Sequence, residues 1–306
     1  MFTFALKSGG KLNASKKMKG VEVIVKRKNF LFMLLLVSIT VLFVACGGGN
    51  ANNDADNNDG NTEENNNNEN TEEANNDGGE EITKLVVGSD ATYAPMEYID
   101  DSGEIVGIDI DIIDAIAEEL GIELEVKNIG WEPLFPALKN GEIDFAVSSI
   151  TITEERQKEF DFTEPYYEAK QVILVPEDSD ISGLADLEDK RVTVQINTTG
   201  HIAMQEFVGE TNPNIVASET MPIAIQEMLN GNAEASVGDN STVNEYLKNN
   251  PDAKVKVIED DDSFEKEFYG LMVQKGNVEV LELLDEGIKA VKENGKLKEI
   301  TGLDLD

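Results

Sequence analysis

The stretch that decides the fold class runs from Pro136 to Ser148 and reads Pro-Ala-Leu-Lys-Asn-Gly-Glu-Ile-Asp-Phe-Ala-Val-Ser. It predicts the end of a helix, an Asn-Gly stop and a buried strand, because Gly readily adopts the left-handed conformation that ends helices. The stretch from Ile225 to Gly238 has the same outline, Ile-Gln-Glu-Met-Leu-Asn-Gly-Asn-Ala-Glu-Ala-Ser-Val-Gly. Two copies of one helix–strand unit indicate two halves of the α/β class.

Strands and helices alternate around the first copy. Lys84 to Gly88 and Ile122 to Lys127 are predicted strands, and apolar residues between Ile110 and Leu120 recur at helical spacing before Gly121. Trp131 to Asn140 is predicted to be a short helix with its prolines near the start. This alternation predicts a mostly parallel sheet.

Polar residues follow the strand in each copy. They are Ser148 and Ser149 in the first copy, and Asp239 and Asn240 in the second. In open α/β sheets, ligands bind beyond the carboxyl ends of the strands. Two such strand ends, one in each half, predict a ligand cleft between two lobes.

The first 45 residues have the features of a bacterial signal peptide. Six Lys or Arg residues between positions 16 and 28 precede an uncharged apolar run from Phe30 to Ala45. At about 16 residues, this run is too short for a membrane span of ~20 residues and suits a signal-peptide core. Whether translation begins at Met1 or at Met18 stays open.

The apolar run ends in Leu42-Phe-Val-Ala-Cys46-Gly47, which resembles the bacterial lipobox apart from Phe43, where Leu is preferred. In a lipobox the Cys is diacylated and becomes the first residue of the mature protein. We therefore predict a lipoprotein signal peptide over residues 1–45, with Cys46 as the only membrane attachment. This places the protein on the outer face of the cell membrane of a Gram-positive bacterium. The alternative is a plain signal anchor with a buried Cys.

Residues 46–81 are predicted to form a tether. From Gly47 to Glu81 the chain consists mostly of Gly, Asn, Asp and Glu, with 11 acidic residues and no Lys or Arg. Such a segment cannot bury a core and stays extended. A flexible chain of this length reaches about 30–35 Å, enough to hold a domain clear of a surface.

The charge and cysteine content exclude several classes of function. The chain has 25 Lys and Arg against 61 Asp and Glu, and beyond Ala45 the counts are 17 against 60, a net charge of −43. A surface this acidic repels nucleic acid and anionic lipid. One Cys forms no disulfide within the chain, and one Cys with one His cannot build a zinc site. We therefore expect no nucleic acid, no metal and no cofactor.

Six motifs resemble those of the polar amino-acid-binding proteins of ABC importers, and they occur in family order over about residues 82–300. They are Asp90-Ala-Thr-Tyr-Ala-Pro-Met-Glu-Tyr98, Gly107-Ile-Asp-Ile-Asp111, Ser148-Ser-Ile-Thr-Ile-Thr-Glu-Glu-Arg156, Asp161-Phe-Thr-Glu-Pro-Tyr-Tyr167, Val194-Gln-Ile-Asn-Thr-Thr-Gly200 and Gly238-Asp239. The resemblance implies a monomeric extracellular substrate-binding component that serves an ABC permease with its ATPase.

The same resemblance implies the two-lobed periplasmic-binding-protein fold of type II, with two crossovers and a ligand cleft between the lobes. We place the crossovers near Val172–Val175 and Asp262–Phe268. The first lobe then comprises residues 82–173 and 265–306, and the second lobe comprises residues 174–264.

Arginine usage points independently to an amino-acid site. A free amino acid needs a cationic partner for its carboxylate and an anionic partner for its ammonium. Beyond the signal peptide the only arginines are Arg156 and Arg191, and Arg offers the fork that binds a carboxylate through two hydrogen bonds. Arg156 follows Thr153 in the predicted first turn of a helix, where free N–H groups also favour a carboxylate. Arg191 is expected on the surface. The alternative for Arg156 is an ion pair with Asp161 or Glu155.

The resemblance implies a role for each site residue. It assigns Arg156 with Thr198 and Thr199 to the ligand carboxylate, Asp239 with Ser149 and Thr151 to the ammonium, and Asp90 with Gln195 to the ligand side chain. It also implies that Tyr93 and Trp131 hold the ligand side chain between their rings; the alternative for Trp131 is plain core packing. Ser148 completes the predicted ligand-binding set. Asn197 replaces the Gly of many relatives, and Asn tolerates left-handed backbone angles well.

Asp90 indicates the preferred ligand. A buried carboxylate without a partner is costly unless the ligand brings a positive group. We therefore expect a basic amino acid (arginine, lysine or histidine), with glutamine or another polar amino acid as the alternative.

Two further alternatives concern the class of protein. One is a cyclohexadienyl-dehydratase-like enzyme, with Glu97 or Glu132 as general acid, although nothing marks either residue and we expect no enzyme. The other is the ligand-binding domain of a sensor. His201 follows the Thr198-Thr199-Gly200 loop, and we expect it to be exposed.

Overall fold

The computed structural model describes residues 82–305. The predicted signal peptide, Cys46 and the tether lie outside this range. Within residues 82–305, no helix is long and apolar enough to cross a membrane. The helices are α1 (Ile108–Leu120), α2 (Trp131–Lys139), α3 (Glu154–Glu159), α4 (Thr199–Val208), α5 (Met221–Leu229), α6 (Asn240–Asn249), α7 (Val278–Glu293) and α8 (Lys296–Thr301).

The strands form two large sheets and one small one. They are β1 (Lys84–Ser89), β2 (Thr92–Tyr93), β3 (Glu97–Ile99), β4 (Ile105–Val106), β5 (Glu123–Asn128), β6 (Phe145–Ala146), β7 (Phe160–Phe162), β8 (Tyr167–Pro176), β9 (Val192–Gln195), β10 (Ile215–Ser218), β11 (Ala235–Asp239), β12 (Val255–Ile258), β13 (Lys266–Tyr269) and β14 (Met272–Gln274). The small sheet has the order β2-β3-β4 and contains Tyr93 of the predicted ligand-binding set.

The two large sheets share one plan, which confirms the predicted two-lobed α/β fold. The first sheet has the order β5-β1-β6-β14-β7, and the second has the path β10-β9-β11-β8-β12. In each sheet three neighbouring strands are parallel, and the strands on the other side are antiparallel. The prediction of a mostly parallel sheet therefore holds for half of each sheet. Strands β8 and β14 run antiparallel to these neighbours because each enters its sheet from a crossover.

The connection between the lobes is a two-stranded ribbon. Residues 167–170 of β8 pair with residues 266–269 of β13, whereas residues 171–176 of β8 pair with β11 and β12 in the second sheet. Because Val172–Val175 thus belong to the second sheet, we place the first crossover at residues 167–170, a few residues before the predicted position. The second crossover, β13, overlaps the predicted Asp262–Phe268.

Each copy of the repeated unit ends its helix as predicted. Asn140 and Asn230 cap α2 and α5, and the glycines that follow, Gly141 and Gly231, have φ angles of 72° and 77°. The chain then enters β6 in the first lobe and β11 in the second. The carboxyl ends of these two strands carry Ser148-Ser149 and Asp239 to the cleft.

Helix α1 is anchored by a close approach of the backbone at its start. A Cβ on Gly107, which has a φ of 131°, would lie 2.3 Å from the carbonyl oxygen of Met96. Only Gly fits there, and the next residue, Ile108, is already helical. Ile112, Ile113 and Ile116 are then buried, and α1 packs against α7 and α8. This packing fixes the position of Asp109, which lies beneath the cleft.

Candidate functional site

A cavity lies between the lobes, and residues of both lobes line it. The structure brings together around it every residue of the predicted ligand-binding set, and adds Glu97. The lining residues are Asp90, Tyr93, Glu97, Trp131, Ser148, Ser149, Thr151, Arg156, Gln195, Thr198, Thr199 and Asp239.

Arg156 is fixed by two carbonyl groups and two aromatic rings. Its Nη1 donates to the carbonyl oxygen of Thr151 at 2.8 Å, and its Nη2 donates to that of Asn197 at 3.3 Å. The guanidinium carbon lies 5.4 Å from the ring centre of Trp131 and 5.7 Å from that of Phe135. Burial lowers the pKa of Arg156 to about 10, so the group stays charged at neutral pH. Its remaining N–H donors suit a planar anion.

The alternative of a plain ion pair for Arg156 is wrong. Asp161 pairs with Lys275 at 2.6 Å, and Glu155 pairs with Lys158. As predicted, Arg156 lies in the first turn of a helix, α3; Thr153 caps this helix, and its hydroxyl accepts from the backbone N–H of Arg156. Arg191, the second candidate, is exposed as expected.

The start of α4 faces the cavity from the second lobe. Thr198 caps this helix and accepts from the N–H of His201, and Asn197 has the left-handed φ of 57° that its position suggested. The N–H of Asn197 donates to Nδ1 of His201 at 3.0 Å. The expectation of an exposed His201 is wrong, since 9% of it is accessible. A neutral imidazole with a free Nδ1 lone pair holds the loop, and burial lowers the pKa of His201.

Asp239 is a cavity carboxylate held by hydrogen bonds from buried side chains. It accepts from the Tyr269 hydroxyl at 2.6 Å and from Nε2 of Gln171, both buried. Burial raises the pKa of Asp239, and hydrogen bonds from Tyr269, Tyr93 and Gln171, together with the charge of Arg156, oppose the rise. Contacts within the protein therefore fix the position of this carboxylate.

Ser148 and Ser149 donate hydrogen bonds to two buried carboxyl groups, those of Glu97 and Asp109. The Ser148 hydroxyl donates to Glu97 at 2.7 Å, and the N–H of Ser149, whose φ is 50°, donates to Asp109 at 2.7 Å. Burial and the charge of Asp109 raise the pKa of Glu97 well above its usual value, and burial raises the pKa of Asp109 to about 6. This pair holds Ser149 in a strained conformation that few non-Gly residues adopt.

Asp90 and Gln195 form a less satisfied part of the cavity wall. Asp90 is 3% exposed and accepts from the Thr92 hydroxyl at 2.8 Å and from Nε2 of Gln195 at 3.5 Å. The other amide atom, Oε1 of Gln195, is buried without a hydrogen-bond partner. Burial raises the pKa of Asp90; hydrogen bonds from Thr92, Gln195 and the backbone of Trp131 oppose the rise, and the charge of Glu219 across the groove adds to it. Two acceptors thus face the cavity with few donors.

The lobes touch across the cavity. The indole N–H of Trp131 donates to the carbonyl oxygen of Ile196 at 2.9 Å, and the Asn197 amide donates to Glu132 at 2.8 Å. Trp131 also packs in the core of the first lobe, so both interpretations of this residue have support. Its predicted role as one of two rings around the ligand side chain stays a prediction.

Sequence reasoning missed four residues of the network around the cavity: Glu97 as a lining residue, Gln171, Glu267 and Tyr269. Gln171 interrupts the apolar β8, and this signal was available in the sequence. Glu267 lies on a crossover strand of mixed composition, where no pattern distinguishes it from the exposed Glu265. Tertiary contacts alone bring these residues to the cleft.

Two α/β lobes that enclose one charged cavity define a two-lobed solute-binding protein. The model of the bacterial extracellular solute-binding proteins, family 3, matches residues 85–302. The chain belongs to this family, whose members bind solutes outside the cell for ABC importers.

Three relatives illustrate the similarity. A probable histidine-binding protein of Neisseria gonorrhoeae is 35% identical over 70% of this chain and 80% of its own length. The ABC transporter arginine-binding protein 1 of Escherichia coli is 32% identical over 73% of this chain and 91% of its own length. The solved structure of the arginine-, lysine-, histidine-binding protein ArtJ of Geobacillus stearothermophilus has a TM-score of 0.69 and 46% identity, covering 71% of this chain and 93% of that one.

All three relatives are named as binding proteins. Of the two acids named in the enzyme alternative, Glu97 accepts from the Ser148 hydroxyl and the exposed Glu132 accepts from the Asn197 amide. The chain is a transport binding protein and not an enzyme.

Proposed function

We propose that this protein captures a free L-amino acid with a cationic side chain and hands it to an ABC permease with its ATPase. The charge of the cavity carries the proposal. Its lining holds Arg156 against Asp90, Glu97 and Asp239. The raised pKa of Glu97 favours its neutral form, which leaves one positive and two negative groups. A basic amino acid, with a net charge of +1, balances this excess, whereas a neutral amino acid leaves one buried charge uncompensated.

The invariant part of every amino acid fits the region around Arg156 and Asp239. The free N–H groups of Arg156 suit the carboxylate, and the N–H groups at the start of α4, including that of Thr199, add further donors. Asp239 suits the ammonium, with oxygen atoms of Ser149 and Thr151 as additional acceptors. Tyr93 and Trp131 then lie against the ligand side chain.

The side chain of the ligand fits the region around Asp90 and Gln195. The buried oxygen Oε1 of Gln195 has no partner in the protein, and leaving such an acceptor unpaired costs about 1–3 kcal/mol. A guanidinium, an ammonium or an imidazolium supplies N–H donors to this oxygen and a counter-charge to Asp90. The names of the three relatives, which specify histidine, arginine and lysine, agree with this chemistry.

Glutamine is the second candidate. Its amide N–H groups can also donate to Gln195 and Asp90, which the unpaired acceptor favours. It brings no charge, however, so Asp90 would stay uncompensated. Affinity is therefore expected to follow the order basic amino acids, then glutamine, then acidic amino acids.

The lipid anchor belongs to the same proposal. Diacylated Cys46 would hold the protein at the outer face of the cell membrane, and residues 46–81 would let the two lobes reach a permease. The protein acts as a monomer in this scheme. Its first lobe comprises residues 82–173 and 265–306, and its second lobe comprises residues 174–264. The strand pairing favours a first boundary nearer residue 170. Support for the anchor comes from the signal-peptide pattern alone.

Calorimetry against the twenty amino acids tests the proposal. The protein is first unfolded and refolded to remove any bound ligand, and each amino acid is then titrated at neutral pH. Tightest binding of arginine, lysine or histidine is expected. If glutamine binds most tightly, the assignment of a basic ligand is wrong and glutamine takes its place. If no amino acid binds, amino-acid capture itself is refuted.

A further inference from the structure

Glu267 lies behind the cavity wall, on the crossover strand β13. It does not line the cavity. It lines an outer groove on the other side of Thr151 and Thr199, together with Ile202, Glu265 and Phe268. Its position is therefore next to the hinge and one layer away from a bound ligand.

One carboxylate oxygen of Glu267 joins the two lobes. Its Oε2 accepts from the hydroxyl of Thr151, in the first lobe, at 2.8 Å, and from the hydroxyl of Thr199, in the second lobe, at 2.7 Å. Nε2 of Gln171 lies within hydrogen-bonding distance of Oε1 of Glu267 at 3.2 Å and of the Thr199 hydroxyl at 3.0 Å, and its two hydrogen atoms are shared among these acceptors and Asp239. Gln171 also donates to Asp239, so Glu267 and the cavity carboxylate share a buried donor.

These contacts fix what the two threonines offer to a ligand. A hydroxyl carries a single hydrogen atom, and an ionised Glu267 can only accept, so both hydrogen atoms are directed at its Oε2. Toward the cavity, Thr151 and Thr199 therefore present only lone pairs, which accept from an ammonium and repel a carboxylate. The ligand carboxylate is left to Arg156 and to the backbone N–H groups at the start of α4. This changes the role that sequence similarity implied for the Thr199 side chain.

We propose that Glu267 is a positioning residue that couples closure of the lobes to the polarity of the site. Resting on the proposed function, this inference assigns Glu267 no contact with the ligand. Opening of the cleft moves Thr199 away from Thr151, and the carboxylate then keeps only one of its two hydroxyl partners. Closure restores the second bond and turns the Thr199 hydroxyl into an acceptor for the ligand ammonium. Glu267 thus favours the closed form for every amino acid, independent of side chain.

The variant Glu267→Ala tests this coupling. We expect arginine and glutamine to lose affinity by the same factor, about tenfold, as for loss of a hydrogen bond to a charged group. The loss is expected in the dissociation rate, measured by stopped-flow fluorescence, because closure follows encounter. The matched control is Glu265→Ala, which removes an exposed carboxylate from the same groove and is expected to change neither the association rate nor the dissociation rate. Unchanged affinity in Glu267→Ala overturns the inference.

A double-mutant cycle with Thr199→Val separates positioning from general damage to the fold. If the Thr199 hydroxyl acts through Glu267, the double variant loses little more affinity than the more affected single variant. Fully additive losses overturn the coupling. The variant Glu267→Gln keeps the shape and one acceptor oxygen, so it is expected to recover part of the lost affinity.

The distance between the lobes provides a readout that needs no ligand. Fluorescent labels, one on each lobe, are expected to report a more open population in Glu267→Ala than in Glu265→Ala. Equal distances in the two variants overturn the proposed role of Glu267 in closure, even if the unmodified protein binds no amino acid. Amino-acid binding by the unmodified protein, by contrast, decides the proposed function alone, so the two failures remain distinguishable.

Discussion

The regions around Asp239 and Asp90 differ in how completely the protein satisfies a buried carboxylate. Asp239 accepts from Tyr269 and Gln171 and lies near the charge of Arg156. Asp90 accepts from the Thr92 hydroxyl and from the backbone of Trp131, but its contact with Gln195 is long at 3.5 Å, the oxygen of Gln195 is unpaired, and the charge acting on Asp90 is the negative one of Glu219. Both carboxylates are almost inaccessible to solvent.

This difference separates general recognition from specificity. A fully partnered carboxylate keeps its position and charge whatever the ligand, which suits the ammonium group common to all amino acids. A region with an unpaired acceptor, here Oε1 of Gln195 beside Asp90, gains most from a ligand that supplies donors and a positive charge, because an unsatisfied buried group is costly. Variants in the first region should therefore weaken every ligand, and variants in the second should change the order of ligands.

The largest effect is expected for Arg156→Lys. An ammonium cannot reproduce the two parallel hydrogen bonds of a guanidinium, so arginine, lysine and glutamine should all lose about 2–3 kcal/mol of binding free energy. Calorimetry measures the loss, and Arg191→Lys, at an exposed arginine, is the matched control. Unchanged affinity would move the carboxylate site elsewhere.

A smaller and selective effect is expected for Asp90→Asn. Affinity for arginine or lysine should fall by more than about tenfold, equivalent to ~1.4 kcal/mol, because the side chain loses its counter-ion in a partly dry cleft. Glutamine, which needs no counter-ion, should lose much less. Competition between arginine and glutamine on one sample measures the ratio directly. Equal losses for the two ligands would show that Asp90 only shapes the cavity.

Lowering the pH should weaken arginine binding gradually, because protonation of Asp90 removes the same charge as Asp90→Asn. Since the pKa of Asp90 is raised above 3.8 and a bound cation favours its charged form, arginine affinity falls as the pH drops through the pKa of the ligand-free protein. The fall cannot exceed tenfold per pH unit for one group. The affinity for glutamine, measured between neutral pH and about pH 5, should fall less steeply than the affinity for arginine. In the Asp90→Asn protein the arginine and glutamine profiles should run parallel; a persistent difference would assign the effect to another group.

No change in affinity is expected for Cys46→Ala. This variant should leave the membrane fraction and appear in the medium, because the diacylated residue supplies the two chains that stable anchoring needs. Fractionation of cells followed by calorimetry on the released protein measures both properties. Retention in the membrane fraction would indicate an uncleaved signal anchor.

Much of the fold could be predicted from local patterns, whereas the roles of the site residues were predicted from motifs that resemble those of a family. The Asn-Gly stops of the two copies, the capping Thr153 and the left-handed Asn197 all rest on backbone preferences that act within a few residues. His201 was predicted wrongly because its burial depends on a hydrogen bond from Asn197 and on packing of α4, which local composition does not reveal.

By itself, the sequence determined the α/β class, the two similar halves and the residue types of the cavity. Periodicity, helix stops and the ordered motifs depend on residues that are close together in the chain. Tertiary structure alone decided which polar groups stay unpaired. The orphan oxygen of Gln195 and the bond of Glu267 to Thr151 and Thr199 arise between residues up to 116 positions apart. Hydrogen-bond satisfaction is a property of the packed interior, because only there does a missing partner have no water to replace it.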